Sequence, residues 1–302
     1  MARIEFMSKK RKREYLGLVW LIPAAVLIAV FSIYPPVAAL GYSFTDWDGA
    51  NASFIGFVNF IKLFNDPVFY KSFYNMLILM VVCMLLGNIM TIILAELLFN
   101  LKSKRLKGFF RFAFVIPALI PNIVILMLWG KVILSGGNNS LANIILGWFG
   151  IPSKGWLYSE DTVLLSIIIY GFPWVGGTSF LIYLAGLNNI PESALEAGEI
   201  DGITLFKRII YIDLPLIKAQ LKYFLILGVI GGVQNYSLQY ALTNGGPGMN
   251  NASMVPGYYM YMEALHYSRY GYACAIGFVM FIIILAVTII NNRLLKSGGD
   301  YL

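Results

Sequence analysis

Six long apolar stretches run through this chain of 302 residues and leave few ways for it to fold. They extend roughly from Leu16 to Leu40, Phe73 to Phe99, Phe109 to Leu134, Val163 to Leu187, Tyr223 to Thr243 and Tyr272 to Ile290. A hydrocarbon core of about 30 Å is crossed by about 20 apolar residues in a helix. Each stretch is close to that length or longer and carries few or no charges. Backbone groups in lipid are satisfied only within helices or closed barrels, and the pattern lacks the ten-residue alternation of a barrel. Only 12% of residues are charged, where a soluble domain has roughly a quarter. The expected class is all-α: a polytopic transmembrane helical bundle of six spans.

Lysine and arginine placement gives an orientation. Arg3, Lys9, Lys10, Arg11, Lys12 and Arg13 precede the first span; Lys102, Lys104, Arg105, Lys107 and Arg111 follow the second; Lys207, Arg208, Lys218 and Lys222 follow the fourth; Arg293 and Lys296 follow the sixth. The opposite side has Lys62, Lys71, Lys131, Lys154 and Arg269. The expectation is N-in and C-in. Residues 1–14 form a basic cytoplasmic arm, 15–295 the transmembrane domain, 188–218 a cytoplasmic loop within it, and 296–302 a tail. This asymmetry accounts for the net charge of +7, so no nucleic acid is needed to explain it. The first apolar run is too long for a signal peptide and lacks a clear small-x-small site, so it reads as an uncleaved span. Cys83 and Cys274 fall inside spans and read as small core residues. His266 stands alone, which gives a histidine-based metal or catalytic site nothing to build on.

Pro35-Pro36 is expected to end or kink the first helix. Outer segments follow. Residues 41–72 carry Asp46, Trp47 and Asp48, with aromatics suited to the membrane interface. Residues 135–161 open on the turn-rich Ser135-Gly136-Gly137-Asn138-Asn139, and Leu141 to Phe149 is suited to lying flat on the bilayer. Residues 244–271 begin with Asn244-Gly245-Gly246-Pro247-Gly248 and are rich in tyrosine.

Against this background the polar interval Asn189 to Pro215 is an anomaly that calls for a cause. It divides into two short helices. Asn189 is suited to cap the first, with Pro191 early in it and Glu192 in its first turn. Gly202 supplies a positive φ to end it. Thr204 caps the second, and Leu214-Pro215 is expected to stop that helix before the fifth span. The product presents carboxylates and apolar side chains together, as a protein-docking knob requires. The other reading is an amphipathic loop on the membrane surface. Such helices carry Lys and Arg on the polar face, whereas the first helix here carries Glu192, Glu196, Glu199 and Asp201.

The spacing resembles a motif shared by ABC importer permeases: Glu-Ala-Ala, three residues, Gly, nine residues, Ile, one residue, Leu-Pro. The chain has Glu196-Ala197-Gly198, then Gly202, Ile212, and Leu214-Pro215. The one departure is Gly198 for the second alanine, which costs a helix about 1 kcal/mol. Ile190-Pro191, Ile200-Asp201-Gly202, Phe54-Ile55-Gly56-Phe57-Val58-Asn59-Phe60 and Leu242-Thr243-Asn244-Gly245-Gly246-Pro247 are similar to permeases of the carbohydrate-uptake class. The resemblance covers nearly the whole chain from the first span onward. It implies a type I ABC importer permease fold in a bacterial or archaeal cytoplasmic membrane. It also implies two ATP-binding-cassette subunits, a second homologous permease, an extracytoplasmic solute-binding protein and a carbohydrate substrate. Glu196, Ala197, Gly198, Asp201, Gly202, Ile212, Leu214 and Pro215 would meet the ATPase. The chain has no Gly-x-x-x-x-Gly-Lys-Ser/Thr loop, so ATP and Mg are expected in the partner subunits, with no cofactor bound and no catalysis here.

The fourth and fifth spans carry the irregular sequences. Tyr170-Gly171-Phe172-Pro173-Trp174-Val175-Gly176-Gly177-Thr178-Ser179 loosens one helix, and broken helices at membrane depth line cavities or pack within protein. Gly228, Gly231, Gly232, Gln234, Asn235, Tyr236, Ser237 and Gln239 mark the other. Amides, hydroxyls and aromatic faces are the mixture that sugars require. By resemblance, Gly171, Trp174, Val175, Thr178, Gly228, Gly231 and Gly232 match sugar-contact positions of a maltose-type permease, and Gln234, Asn235 and Tyr236 extend the candidate path. Helix packing through small residues stays open beside that reading, above all for the glycines. Asn122 and Pro121 add a polar kink to the third span. Glu96, near the cytoplasmic end of the second, is expected to reach water. An ion-coupled secondary transporter would place an ionisable group deep in the bundle, and it would leave the 189–215 interval unexplained. A membrane enzyme would need clustered catalytic or metal-ligating side chains, which the sequence does not show.

Overall fold

The computed structural model describes residues 20–294. The basic arm 1–14 and the tail 296–302 lie outside the described residues. Helices dominate: α1 Trp20–Tyr42, α2 Val58–Leu63, α3 Pro67–Asn100, α4 Lys104–Leu119 and α5 Asn122–Ile133, and α6 Leu141–Trp148. They continue as α7 Glu160–Ile169, α8 Gly177–Asn188, α9 Glu192–Ile200, α10 Leu205–Leu216 and α11 Lys218–Gln234. The last are α12 Ser237–Leu242, α13 Pro256–Tyr261 and α14 Tyr270–Leu294. An isolated bridge between Thr45 and Phe54 is the only β pairing among the described residues.

By length and composition α1, α3 and the Tyr270–Asn291 part of α14 are apolar enough to cross a membrane; α4 with α5 and α10 with α11 qualify as two further pairs, each sharply bent. The fourth apolar stretch is not one helix. It is α7 and α8, separated at residues 170–176. The fifth starts earlier than its apolar run, at Lys218, and is interrupted at Asn235-Tyr236 before α12.

The residues pack as two units. One comprises residues 20–65 with Met262–Phe278. In α1 the helix does not end at Pro35-Pro36 but passes through both prolines. A π-helical turn, Ala29–Ile33, lies just ahead of them. There the Tyr34 N–H donates to Ala29 O, five residues back, which widens the backbone where a proline ring would otherwise meet a carbonyl. After α1, Gly56 turns the chain at φ +62. Asn59 of α2 then donates through Nδ2 to Ser43 O (2.9 Å) and Thr45 O (2.8 Å). Trp47 stacks on Tyr42 at 4.1 Å and leans on Tyr270 at 5.1 Å. The Phe54–Phe60 motif therefore supplies the turn and the Asn59 contacts, with Phe57 and Phe60 beside Phe44 at 5.3 and 5.2 Å.

The second unit comprises Asp66–Tyr261 with residues 279–294. Its central element is α3, capped by the Asp66 carboxylate accepting from Val68 N (2.8 Å) with Pro67 at the first helical position. Pro117 and Pro121 explain the 83° bend between α4 and α5, since neither supplies a backbone N–H. The Asn122 carboxamide at that bend accepts from the Tyr170 hydroxyl (2.7 Å). Where α3, α8 and α11 meet, Ala95, Leu98, Phe180, Tyr183, Leu184, Leu187, Ile190 and Ile217 form a closely packed core. Tyr183 closes it by donating to Asn88 Oδ1 (2.6 Å). Ile190 and Ile217 bracket the polar interval, so both of its ends are anchored in this core.

Candidate functional site

The interval between Ile190 and Ile217 forms a helix–turn–helix from α9 and α10. Asn189 does not cap α9. Its N–H reaches back to Ala185 O (3.1 Å), and it ends α8. Pro191 occupies the cap position and Glu192 opens the helix. The cause is local: a proline disfavours helical conformation in the residue before it, so α8 stops ahead of Pro191. Gly202 adopts φ +66, and Thr204 Oγ1 accepts from Lys207 N (3.5 Å) at the head of α10. The expected stop at Leu214-Pro215 is corrected. A second π turn, Ile209–Asp213, precedes Pro215, with Leu214 N–H donating to Ile209 O. The helix therefore carries the proline and ends at Ile217, where the chain turns by 72° into α11.

Gly198 is buried inside this elbow. A methyl group there would lie 2.8 Å from both the Ile203 and Ile212 Cδ1 atoms. These two isoleucines fill the space that a second alanine would occupy. Glu196, Ala197, Asp201, Gly202 and Pro215 are exposed, and Ile212 and Leu214 are half-buried. Among the described residues no side-chain hydrogen bond or ion pair engages Glu192, Glu196, Glu199 or Asp201. Beside them Ile200 (87% exposed), Phe206 (71%) and Tyr211 (73%) present apolar surface to the outside. The sequence pattern gives no sign that Ile200 and Tyr211 stand out so far.

The inner side holds a polar cluster. Arg208 Nε donates to Asp213 Oδ2 (3.1 Å), and its Nη2 donates to Asn100 Oδ1 (2.5 Å). Asn100 Nδ2 donates to Glu96 O (2.8 Å) and Glu96 Oε2 (3.2 Å). Glu96 is 4% exposed, so the expectation that it reaches water is corrected: it lies under the elbow. The signal available in the sequence was the Arg208–Asp213 spacing of five, which suits a π turn and not an α-helix.

The two irregular spans meet the same stretch of α3. Between α7 and α8, the Phe172–Pro173 peptide is cis and Trp174 takes φ +58. Its indole folds back over Gly171, where a methyl would lie 2.8 Å from Trp174 Cδ1. Trp174 Nε1 donates to Ile168 O (2.7 Å), satisfying a carbonyl that the broken helix leaves open. The Trp174 carbonyl lies 3.9 Å from a methyl placed on Gly87. In α11, methyls on Gly228 and Gly232 would lie 2.9 Å from Met84 Cγ and 2.6 Å from Met80 Cγ, whereas one on Gly231 would meet nothing within 4 Å. Gly228 and Gly232 are thus packing glycines against α3, while Gly231 faces open space. Gly171, Thr178, Gln234 and Asn235 are exposed; Val175 packs on the core. Tyr236 stacks on Tyr261 at 5.3 Å.

A helical chain with an exposed acidic and apolar elbow, and with helices broken beside one long central helix, has the make-up of a transporter subunit. Residues 87–297 match the family described as binding-protein-dependent transport system inner membrane component, and the chain belongs to that family. It is 32% identical over 281 residues to the arabinooligosaccharides transport system permease protein AraP of Bacillus subtilis (strain 168), covering 92% of this chain and 87% of that protein. It is 30% identical over 295 residues to the lactose transport system permease protein LacF of Rhizobium radiobacter, covering 96% and 97%. Its fold is that of a chain in a bacterial alginate ABC transporter crystallised with an alginate pentasaccharide-bound periplasmic protein: TM-score 0.81, 24% identity, 96% and 98% of the two chains. Membership of a binding-protein-dependent family leaves the ion-coupled reading without support.

Proposed function

We propose that this chain is one of two permease subunits of an ATP-driven, binding-protein-dependent importer of a sugar or oligosaccharide. It crosses the cytoplasmic membrane six times with both ends inside, counting α7 with α8 as the fourth crossing. The α9–α10 elbow docks on a cytoplasmic ATPase subunit, and the ATPase binds ATP and Mg. The solute passes residues 170–178 and 231–236, at and beside the two helix breaks. This chain carries out no chemistry. The sugar class is supported by the sugars for which AraP and LacF are named and by the amides and aromatic rings beside the breaks. A solute-binding protein as partner is supported by the family and by the alginate transporter complex.

The observation that carries this reading is the elbow. Four carboxylates without side-chain partners among the described residues stand beside three prominent apolar side chains on an internally packed helix pair. That combination is suited to a protein partner, with apolar anchors for affinity and charges for register. The test uses the chain co-expressed with its ATPase, second permease and binding protein in lipid vesicles. Gly202→Ala places a β-carbon in the left-handed region at a cost of roughly 1–2 kcal/mol, although it meets no neighbour within 4 Å. It should abolish the ATP hydrolysis stimulated by solute-loaded binding protein and leave the subunits assembled; Glu196→Ala should do the same. Unchanged stimulation in both variants would remove the docking role. Uptake assayed with lactose, arabino-oligosaccharides and alginate oligosaccharides then narrows the solute.

A further inference from the structure

The inner face of the elbow ends on a polar chain, buried at both ends and half-buried at Arg208 and Asn100, that docking by itself does not require. It runs from Asp213 through Arg208 and Asn100 to Glu96, and so joins α10 to the last turn of α3. The Asn100 carboxamide is oriented by both neighbours. Its oxygen accepts from Arg208, while its nitrogen donates to the Glu96 carbonyl and carboxylate. The guanidinium also lies over the Phe99 ring, 5.7 Å from its centroid, and Lys107 Nζ donates to Phe99 O (2.9 Å). Asp213 Oδ1 and Glu96 Oε1 are buried without a hydrogen-bond partner among the described residues. Buried charges left partly unsatisfied are expensive, and apolar residues of similar volume would often serve stability better. Their presence therefore points to a demand on geometry. A planar fork that holds two partners at once fixes both distance and angle, which an ammonium on a flexible stem does not.

We propose that Arg208 and Asn100 are positioning residues that make α10 and α3 move as one body, so that displacement of the elbow is delivered to the part of α3 bordering both helix breaks. Met80, Met84 and Gly87 of that part face Gly232, Gly228 and the Trp174 carbonyl, one to two turns from each other on the same helix. The direction of the load rests on the reading of the elbow as the ATPase contact. The rigidity of the link does not.

The test places spin labels at Lys207→Cys in α10 and Leu85→Cys in α3, both exposed positions, in a Cys83→Ser, Cys274→Ser background. The sample is the complex of this chain with its second permease and ATPase subunits, with and without ATP and vanadate. The parent complex should give a narrow distance distribution that keeps its maximum on trapping. Asn100→Ala and Arg208→Lys should broaden it and let the maximum shift on trapping. Arg208→Lys keeps a cation beside the buried Asp213, so it tests the fork in a folded chain. If the pair served only to neutralise charge, lysine would rescue the narrow distribution. Narrow, unshifted distributions in both variants, or a shift in the parent itself, would overturn the proposal. ATPase co-elution is scored on the same samples. Loss of the ATPase with a narrow distribution that Arg208→Lys still broadens would break the docking reading and leave the link standing.

Discussion

The α9–α10 elbow and the helix breaks at residues 170–176 and 235–236 both interrupt apolar helices with polar sequence, yet they use that polarity in opposite ways. In the elbow, backbone demands are met by caps and turns, and the carboxylates of Glu192, Glu196, Glu199 and Asp201 have no side-chain partner among the described residues. In the breaks, side chains serve their own backbone first. The Trp174 indole satisfies Ile168 O, and Asn235 Oδ1 lies 3.5 Å from Leu238 N at the start of α12. The difference follows from surroundings. A helix opened within a membrane-length apolar stretch has few polar partners at hand, so the nearest polar side chain is drawn in. A polar residue in such a break is consequently weaker evidence of ligand contact than one in an exposed elbow.

Gly231 and Gly232 are neighbours with opposite surroundings, and substitutions there should separate packing from path with the largest effect. Gly232→Val forces atoms onto Met80 and should destabilise the assembled protein by about 1–3 kcal/mol, read as a lower unfolding temperature in detergent. Gly231→Val should leave that temperature unchanged and reduce uptake. Equal thermal effects would remove the distinction between packing and path. Trp174→Phe keeps an aromatic ring but loses the donor to Ile168 O, a change of about 1 kcal/mol. It should lower uptake while basal ATP hydrolysis stays at the parent rate; unaltered uptake would detach this break from the path. The smallest effect is expected at Gly198→Ala. Regained helix propensity of up to about 1 kcal/mol offsets the shift asked of the Ile203 and Ile212 side-chain tips. Stability and stimulated hydrolysis should both stay near parent values, and a marked loss of either would show that the elbow tolerates no added volume.

Several of these features were legible in the residues themselves. Apolar length marked α1, α3 and α14 as helices long enough to cross a membrane, and Gly202 and Thr204 marked the turn and second cap, because each depends on neighbours a few positions away. The irregular spans were identified as irregular, but how they break depends on which side chain folds back. Nothing in the order Gly171-Phe172-Pro173-Trp174 tells that the indole will reach Ile168. The prolines misled for a related reason. Proline at Pro35 and Pro215 suggests a helix end when read against α geometry alone, and the π turns that accommodate it leave no fixed residue signature. Glu96 was misplaced because burial under the elbow depends on residues more than a hundred positions later in the chain.

The π turn at Ile209–Asp213 has a consequence for how this segment tolerates change in length. Successive α-helical residues advance by about 100° around the axis. The turn absorbs one extra residue between α10's head and Pro215, so later side chains face as they would after an α-helix one residue shorter. Deleting a single residue there would restore plain α geometry, set Arg208 and Asp213 four apart on one face and keep Ile217 turned to the core. The segment therefore holds one residue of slack: a first deletion is taken up by loss of the π turn, and a second would rotate every later side chain by about 100°.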